Sequence, residues 1–292
     1  MKMTTASLLL ALVGSPALAE YVKVSDDLTV YYETAGTGPQ TILFVPGWTM
    51  STEVFEKQFD HFKDSTEYTF ISFDPRSQGR TTDTIEGNYY EQHGRDVDAF
   101  ISALKLDNVV LGGWSNAGFT VLSYVHQFGS DKLAGLVMID AAPSGRVDDN
   151  VKEWGWYRKD DSDAFLEYWL QGSLLDRQKL NREFAQWMVS EEAATEEFID
   201  WIDRIAGMTT NDAAAVLTAS SFYQEYAADL TGLEGKAQLL YITTPGWKEV
   251  VEQWAAKNTP SATVTVMDKH MSFWEKPEQL NDPLDALLAK LK

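Results

Sequence analysis

Short apolar runs alternate with amphipathic stretches between about Thr41 and Asp140. The apolar runs end in turn residues such as Pro-Gly, which is typical of buried strands. In the stretches between them, apolar residues recur at about every third or fourth position, which is the spacing of helices. The strand candidates are TILFV, YTFISF, NVVLGGW and LAGLVMI, and the helix candidates are EVFEKQFDHF, YYEQHGRDVDAFISALKL and NAGFTVLSYVHQF. This alternation predicts an α/β fold with a mostly parallel sheet wrapped by helices.

The alternation stops between residues 143 and 233. No clear buried strand is predicted in this acidic, helix-prone segment, and we interpret it as an inserted helical cap. The core would then consist of residues 20–142 and 234–292, where QLLYITT, KEVVEQWAAK, ATVTVMD and PLDALLAKLK resume the pattern. The tryptophans of the segment predict that it binds an apolar group, although they could instead pack onto the core. They are five of the ten in the chain: Trp154, Trp156, Trp169, Trp187 and Trp201.

The first residues, MKMTTASLLLALVGSPALAE, have the organisation of a secretory signal peptide. Lys2 supplies the basic start, an apolar centre follows, and Ala17-Leu18-Ala19 has the small residues of a cleavage site. We expect residues 1–19 to be removed after Ala19 and the mature protein to be periplasmic or secreted; an uncleaved anchor is the alternative. No later run is long and apolar enough to span a bilayer, so no stable membrane insertion is expected.

Composition narrows the classes of partner and chemistry. The chain has 292 residues, of which 44% are hydrophobic, enough for a sizeable core. It carries 24 Lys and Arg against 44 Asp and Glu, a net charge of -20 that repels phosphate backbones, so no nucleic-acid partner is expected. The absence of cysteine excludes disulfides, thiolate metal ligands and a cysteine nucleophile.

The stretch GGWSNAG, residues 112–118, places small residues around Ser115 between a predicted strand and a predicted helix. A nucleophile on a sharp strand-to-helix turn needs small residues two positions before and after it, because the backbone approaches itself closely there. Gly113 and Ala117 meet that requirement, and Gly118 lets the helix pack against the strand. The alternative is an ordinary glycine-rich turn. On the first interpretation, Ser115 is the nucleophile and the amide of Asn116 faces the same point.

A serine nucleophile needs a base, and the chain has four histidines. His61 and His93 lie inside predicted helices that flank the sheet, and His126 lies three turns along the helix that follows Ser115. His270 comes directly after the last predicted strand, in HMSFWEKPE, and is therefore the candidate base.

Together, these motifs resemble the α/β-hydrolase family over nearly the whole mature chain. The family motif is G-x-S-x-G, with alanine here at the last position, and the order Ser115 before His270 is also the family's. The resemblance implies an acid that orients His270. The usual position, after the penultimate strand, carries no Asp; its nearest carboxylate is Glu249. Some relatives carry the acid at the end of the strand before the cap, where this chain has Asp140. Asp140, the alternative Glu249 and a site without an acid all stay open.

The resemblance further implies an oxyanion hole made by the amides of Asn116 and Trp48, the latter in the loop Pro46-Gly47-Trp48. It also suggests that Asp74 and Arg76 form a buried pair that holds loops near the site. The chemistry expected is hydrolysis of carboxylic esters through an acyl-enzyme on Ser115. Asp-nucleophile chemistry, as in dehalogenases and epoxide hydrolases, is disfavoured by the serine.

The motifs leave several activities open. A lactonase or a proline-type peptidase would use the same three residues, and a non-catalytic ligand-binding protein could share the fold. A small-molecule ester or lactone is the expected partner. No metal or cofactor is expected, because the chain lacks clustered histidines and a dinucleotide-binding glycine motif after its first strand.

Overall fold

The computed structural model describes residues 18–292, and this part of the chain forms an eight-stranded sheet flanked by helices. The order across the sheet is β1-β2-β4-β3-β5-β6-β9-β10. Strand β2 pairs antiparallel with β1 and β4, whereas all other neighbours are parallel. The strands are β1 Leu18–Lys23, β2 Thr29–Gly36, β3 Gln40–Val45, β4 Tyr68–Phe73, β5 Val109–Trp114, β6 Leu133–Ile139, β7 Ser144–Val147, β8 Gly155–Arg158, β9 Gln238–Thr243 and β10 Thr263–Val266.

Helices cover both faces of the sheet, which explains why its central strands are apolar throughout. In β3, Leu43 and Val45 join the core on one face, while Ile42 and Phe44 join the core on the other. Helices α2, α3 and α9 cover the first face, and α1 and α11 the second. The helices are α1 Glu56–Phe62, α2 Tyr90–Ala103, α3 Ala117–Phe128, α4 Ser162–Leu175, α5 Arg177–Met188, α6 Glu196–Ala206, α7 Asn211–Ser221, α8 Ala227–Thr231, α9 Lys248–Asn258, α10 Ser272–Glu275 and α11 Glu278–Leu288.

The segment 143–233 differs from the sequence prediction in one respect: it contains strands. It begins with β7 and β8, which pair in parallel, before helices α4 to α8. Each strand has four residues, too few for a period of two to stand out, and their pairing joins residues that are about ten positions apart. The rest of the segment is helical as predicted.

The N-terminal prediction lies almost entirely outside the described residues. Of the predicted signal peptide, only Leu18 and Ala19 are described, and both belong to exposed strand β1. Within residues 18–292, the structure has no helix with the length and apolar content needed to cross a membrane.

Candidate active site

Ser115 lies at the turn between β5 and α3, at the carboxyl end of the sheet. Its φ angle is 57°, in the left-handed region that costs energy for a residue with a side chain. Its main-chain N–H donates to the carbonyl of Ile139 at 2.9 Å, and its own carbonyl accepts from Gly118 N–H at 2.9 Å. Bonds to β6 and to the first turn of α3 therefore hold the strained conformation in place.

The small residues around Ser115 are required by close contacts. A Cβ added to Gly113 would lie 2.5 Å from the carbonyl oxygen of Ala117, and one added to Gly118 would lie 2.7 Å from Cβ of Ala141. Gly47, in the loop after β3, is less tightly constrained, with its added Cβ 3.0 Å from Cβ of Ser115. Larger side chains at these positions would push the turn, the helix or the loop away from the serine.

Asp140 and His270 form a buried pair beside this turn. His270 Nδ1 lies 2.7 Å from Asp140 Oδ2, and both residues are almost fully buried. The other carboxylate oxygen, Oδ1, accepts from the main-chain N–H of Thr244 at 3.2 Å and from its hydroxyl at 3.1 Å. Thr244 follows β9, the neighbour of β6 in the sheet. Asp140 is thus held between two loops at the carboxyl ends of adjacent strands.

Glu249, the alternative acid, is exposed in the first turn of α9. Its recorded side-chain bond is to Gln253, one turn along the same helix, at 3.0 Å. The carboxylate that contacts His270 is therefore that of Asp140, at the end of β6.

Trp114, which sequence reasoning did not single out, connects the serine turn to His270. Its indole N–H donates to the main-chain carbonyl of His270 at 2.9 Å, and the two rings lie 5.2 Å apart. Met271, the next residue, donates its N–H to the carbonyl of Met188 in the cap at 2.8 Å. The main chain at His270 is held from the core on one side and from the cap on the other.

Ser115 and His270 line one cavity of about 400 Å³, together with Trp48 and Asn116. Among residues 18–292, the side-chain hydrogen bond of the His270 ring is to Asp140, and none joins the ring to the Ser115 hydroxyl, a contact that often tightens only when substrate binds. Nor is any backbone acceptor recorded for the main-chain N–H groups of Trp48 and Asn116 within that range.

The remaining wall of the cavity is mainly aromatic and comes from the cap. Of the five cap tryptophans, three line it, whereas Trp154 and Trp201 lie elsewhere. The cap contributes Trp156, Tyr157, Phe165, Tyr168, Trp169, Phe184 and Trp187, and Trp48 of the core adds one further ring. Sequence reasoning identified the tryptophans but not the phenylalanines and tyrosines. Aromatic residues three or four positions apart along a helix, as in α4 and α5, are equally typical of a face that packs against the core.

The other histidines lie away from the cavity. His61 contacts Asp285 at 3.1 Å, and His126 contacts Asp229 at 3.0 Å. His93 is buried in α2, where burial lowers its pKa to about 4. Within residues 18–292, no group of three acidic or histidine side chains is arranged to hold a metal ion.

Asp74 and Arg76 are buried, but the prediction that they pair with each other is wrong. Asp74 accepts from the main-chain N–H groups of Thr52 and Arg80 at 2.6 and 2.7 Å. Arg76 instead forms two bonds with Asp96 of α2, at 2.8 and 2.9 Å. The two side chains leave the same loop in different directions, so each ties it to a different element.

A mostly parallel sheet with a strained serine turn and an inserted helical segment defines a class of α/β proteins, and sequence comparison identifies that class. The profile of the alpha/beta hydrolase fold matches residues 40–277. The chain belongs to this family. The match confirms the predicted fold class and the prediction of an α/β-hydrolase enzyme.

Individual relatives are more distant. The AB hydrolase superfamily protein YisY of Bacillus subtilis is 27% identical over 60% of this chain and 64% of its own length. The bifunctional esterase/perhydrolase of Acinetobacter calcoaceticus is 27% identical over 42% of this chain and 45% of its own length. The chain thus spans less than two thirds of either relative. The crystal structure of bromoperoxidase from Bacillus anthracis superimposes with a TM-score of 0.82 at 21% identity, covering 93% of this chain and 100% of that one, which supports the fold alone.

Proposed function

We propose that the protein is a serine hydrolase that cleaves carboxylic esters through an acyl-enzyme. The observation that carries the proposal is the buried contact of 2.7 Å between His270 and Asp140, in which His270 lines the same cavity as a serine on a strained turn. A buried carboxylate beside an imidazole and a nearby serine is the arrangement by which unrelated serine hydrolases activate a hydroxyl.

In the proposed mechanism, the Ser115 hydroxyl attacks the ester carbonyl and transfers its proton to Nε2 of His270. Asp140 accepts the Nδ1–H of the imidazole, which keeps the Nε2 lone pair free and stabilises the imidazolium that forms. The main-chain N–H groups of Asn116 and Trp48 donate to the developing oxyanion.

Breakdown of the intermediate releases the alcohol, which takes the proton from His270 and leaves the acyl group on Ser115. A water molecule that His270 deprotonates then attacks the acyl-enzyme, and the acid is released as the serine recovers its proton. Every proton transfer in this sequence uses the one imidazole.

A small-molecule ester is favoured because the aromatic cavity is suited to an apolar acyl or alcohol group. The Acinetobacter relative, described as an esterase/perhydrolase, also favours ester chemistry. Lactones and proline peptides could use the same residues. We further propose that the mature chain acts in the periplasm or outside the cell; the mass of the purified native protein would test cleavage after Ala19.

The test uses a fluorophosphonate probe and 4-nitrophenyl butyrate on the purified protein. Wild type should label and hydrolyse, whereas Ser115→Ala should lose labelling and keep no more than a few per cent of turnover. Ser221→Ala is the matched control, because Ser221 is a second buried serine that lines the same cavity. It should still label. A wild-type protein that neither labels nor turns over would support a ligand-binding protein instead.

A further inference from the structure

The cavity has an aromatic rim where it meets solvent. Three of its lining rings are about half exposed: Phe165 at 50%, Tyr168 at 49% and Trp187 at 54%. Phe165 and Tyr168 come from α4 and Trp187 from α5, so the rim belongs entirely to the cap. Half-exposed rings grouped at the opening of a pocket are an unusual use of apolar surface and point to ligand contact.

One carboxylate shares this rim. Within residues 18–292, Glu183 is the single acidic residue that lines the cavity. Its Oε2 accepts the hydroxyl of Tyr168 at 2.6 Å, and this bond raises the pKa of Tyr168 to about 12. The bond ties α5 to α4 and fixes the position of the carboxylate, whose side chain is about half exposed.

The distance between the rim and the proposed reacting atoms is short. Trp187 lies four residues after Glu183 in α5, so the two side chains are on one face of the helix, one turn apart. The Trp187 ring is 5.0 Å from the imidazole of His270. A group bound at Glu183 would therefore lie one helical turn from a ring that contacts the proposed base.

The nearby cations leave the charge of Glu183 available. Lys179 approaches it to 3.8 Å, but both side chains are about half exposed or more, so water screens the attraction between them. Arg177 lies 4.6 Å from the ring of Trp48, bonds to Asn181 and to the carbonyl of Ala206, and does not line the cavity. The whole chain carries a net charge of -20, which attracts cations to the opening.

We propose that the preferred ester carries a cationic group, such as a trimethylammonium, that binds at the rim between Glu183, Tyr168 and Trp187. The faces of aromatic rings carry partial negative charge and bind quaternary ammonium groups, and a carboxylate beside them adds direct attraction. This inference rests on the proposed ester hydrolysis and adds the substrate class.

The test compares esters that differ only in charge. One pair is 4-nitrophenyl 4-(trimethylammonio)butanoate and its neutral isostere, 4-nitrophenyl 5,5-dimethylhexanoate, which place the group on the acyl side. The other pair is butyrylcholine and 3,3-dimethylbutyl butyrate, which place it on the alcohol side. Each kcat/KM is divided by the rate of hydroxide-catalysed hydrolysis of the same ester. We expect the cationic member of at least one pair to be preferred about tenfold at low salt.

Two cap variants test the assignment to Glu183. Glu183→Gln should reduce the preference at least threefold, mainly through a higher KM for the cationic ester. Lys179→Gln should increase the preference, because it removes the competing cation. Glu167→Gln is the matched control, because Glu167 is an exposed carboxylate of α4 that does not line the cavity, and it should leave the preference unchanged.

The outcomes separate this inference from the proposed function. Equal kcat/KM within both pairs, with neutral esters well hydrolysed, would overturn the cation site and leave the hydrolase intact. A preference that survives Glu183→Gln, or falls equally in Glu167→Gln, would also overturn the assignment. Absence of hydrolysis of all four esters, together with absence of fluorophosphonate labelling, would refute both proposals.

Discussion

Replacing Asp140 with asparagine tests the proposed acid, and the contacts of Asp140 determine what the amide can do. Oδ1 of Asp140 accepts both the main-chain N–H and the hydroxyl of Thr244, and Oδ2 faces Nδ1 of His270 at 2.7 Å. In Asp140→Asn, the oxygen of the new amide must stay with Thr244. The main-chain N–H of Thr244 is a donor, so it cannot face the NH₂ group of the asparagine. The NH₂ group is then directed at the imidazole.

This orientation forces His270 into the wrong tautomer. Nδ1 must accept from the amide, so the proton moves to Nε2, which can no longer take the proton of Ser115. Reversing the amide would leave the Thr244 N–H unpaired in a buried site, at a cost of about 1–3 kcal/mol. In the serine protease where the same change has been analysed, kcat falls about 10⁴-fold. Here we expect a fall on the order of 10²-fold or more, equivalent to about 2.7 kcal/mol of barrier.

The assay is kcat and KM on 4-nitrophenyl butyrate, with folding checked by circular dichroism. KM should change little, because Asp140 does not line the cavity. Glu249→Gln is the control and should change kcat less than about tenfold, since its recorded partner is Gln253 on its own helix. A folded Asp140→Asn protein that retains more than a tenth of wild-type kcat would refute the tautomer argument. A large loss of kcat in Glu249→Gln would instead assign the role of the acid to Glu249 of α9.

Two further predictions concern residues outside the catalytic set. Trp114→Phe removes the indole N–H that holds the His270 carbonyl, so kcat should fall tenfold or more with little change in KM. Trp154→Phe is the control: within residues 18–292 the buried indole N–H of Trp154 has no hydrogen-bond acceptor, so its loss should leave kcat nearly unchanged. Equal kcat losses in both would mean that Trp114 acts through general packing. His93 has a pKa of about 4 in the fold against about 6.5 unfolded, so the unfolded state binds more protons between these values. His93 should therefore contribute a fall of about 3 kcal/mol to the free energy of unfolding as pH drops from 7 to 4. In urea titrations, the difference in free energy of unfolding between wild type and His93→Leu should change by about that amount over this range, whereas parallel curves would contradict the argument.

Local patterns were sufficient to predict the core of the fold and to select Ser115 and His270 as candidate site residues. Each central strand is buried on both faces by helices that follow it along the chain, so its signal is a continuous apolar run. The turn at Ser115 is also largely local, since a side chain at Gly113 would collide with Ala117 and one at Gly118 would collide with Ala141, just after β6. The position of His270 after the last strand follows from the same alternation.

The partners of these residues depended on contacts between distant parts of the chain. Asp140 and His270 are 130 residues apart, and two loops, at the ends of β6 and β10, bring them together. From sequence, Asp140 was the first candidate and Glu249 stayed open as the alternative, because nothing local distinguishes a carboxylate that turns into the site from one that faces solvent. The partner of Arg76 was also not evident from sequence, because Arg76 bonds to Asp96 of α2 and not to Asp74, two residues before it in the same loop.

Trp114 and the cap rim illustrate why hydrogen-bond partners could not be predicted from local sequence. A tryptophan at the variable position of the serine motif is indistinguishable from a core residue until the loop carrying His270 presents a carbonyl to its N–H. Likewise, Tyr168 and Glu183 form a bond only because α4 and α5 pack side by side. Hydrophobic periodicity reports how one segment meets the core, whereas a hydrogen bond needs two groups placed within about 3 Å and correctly oriented. The order of the strands and the docking of the cap decide that placement.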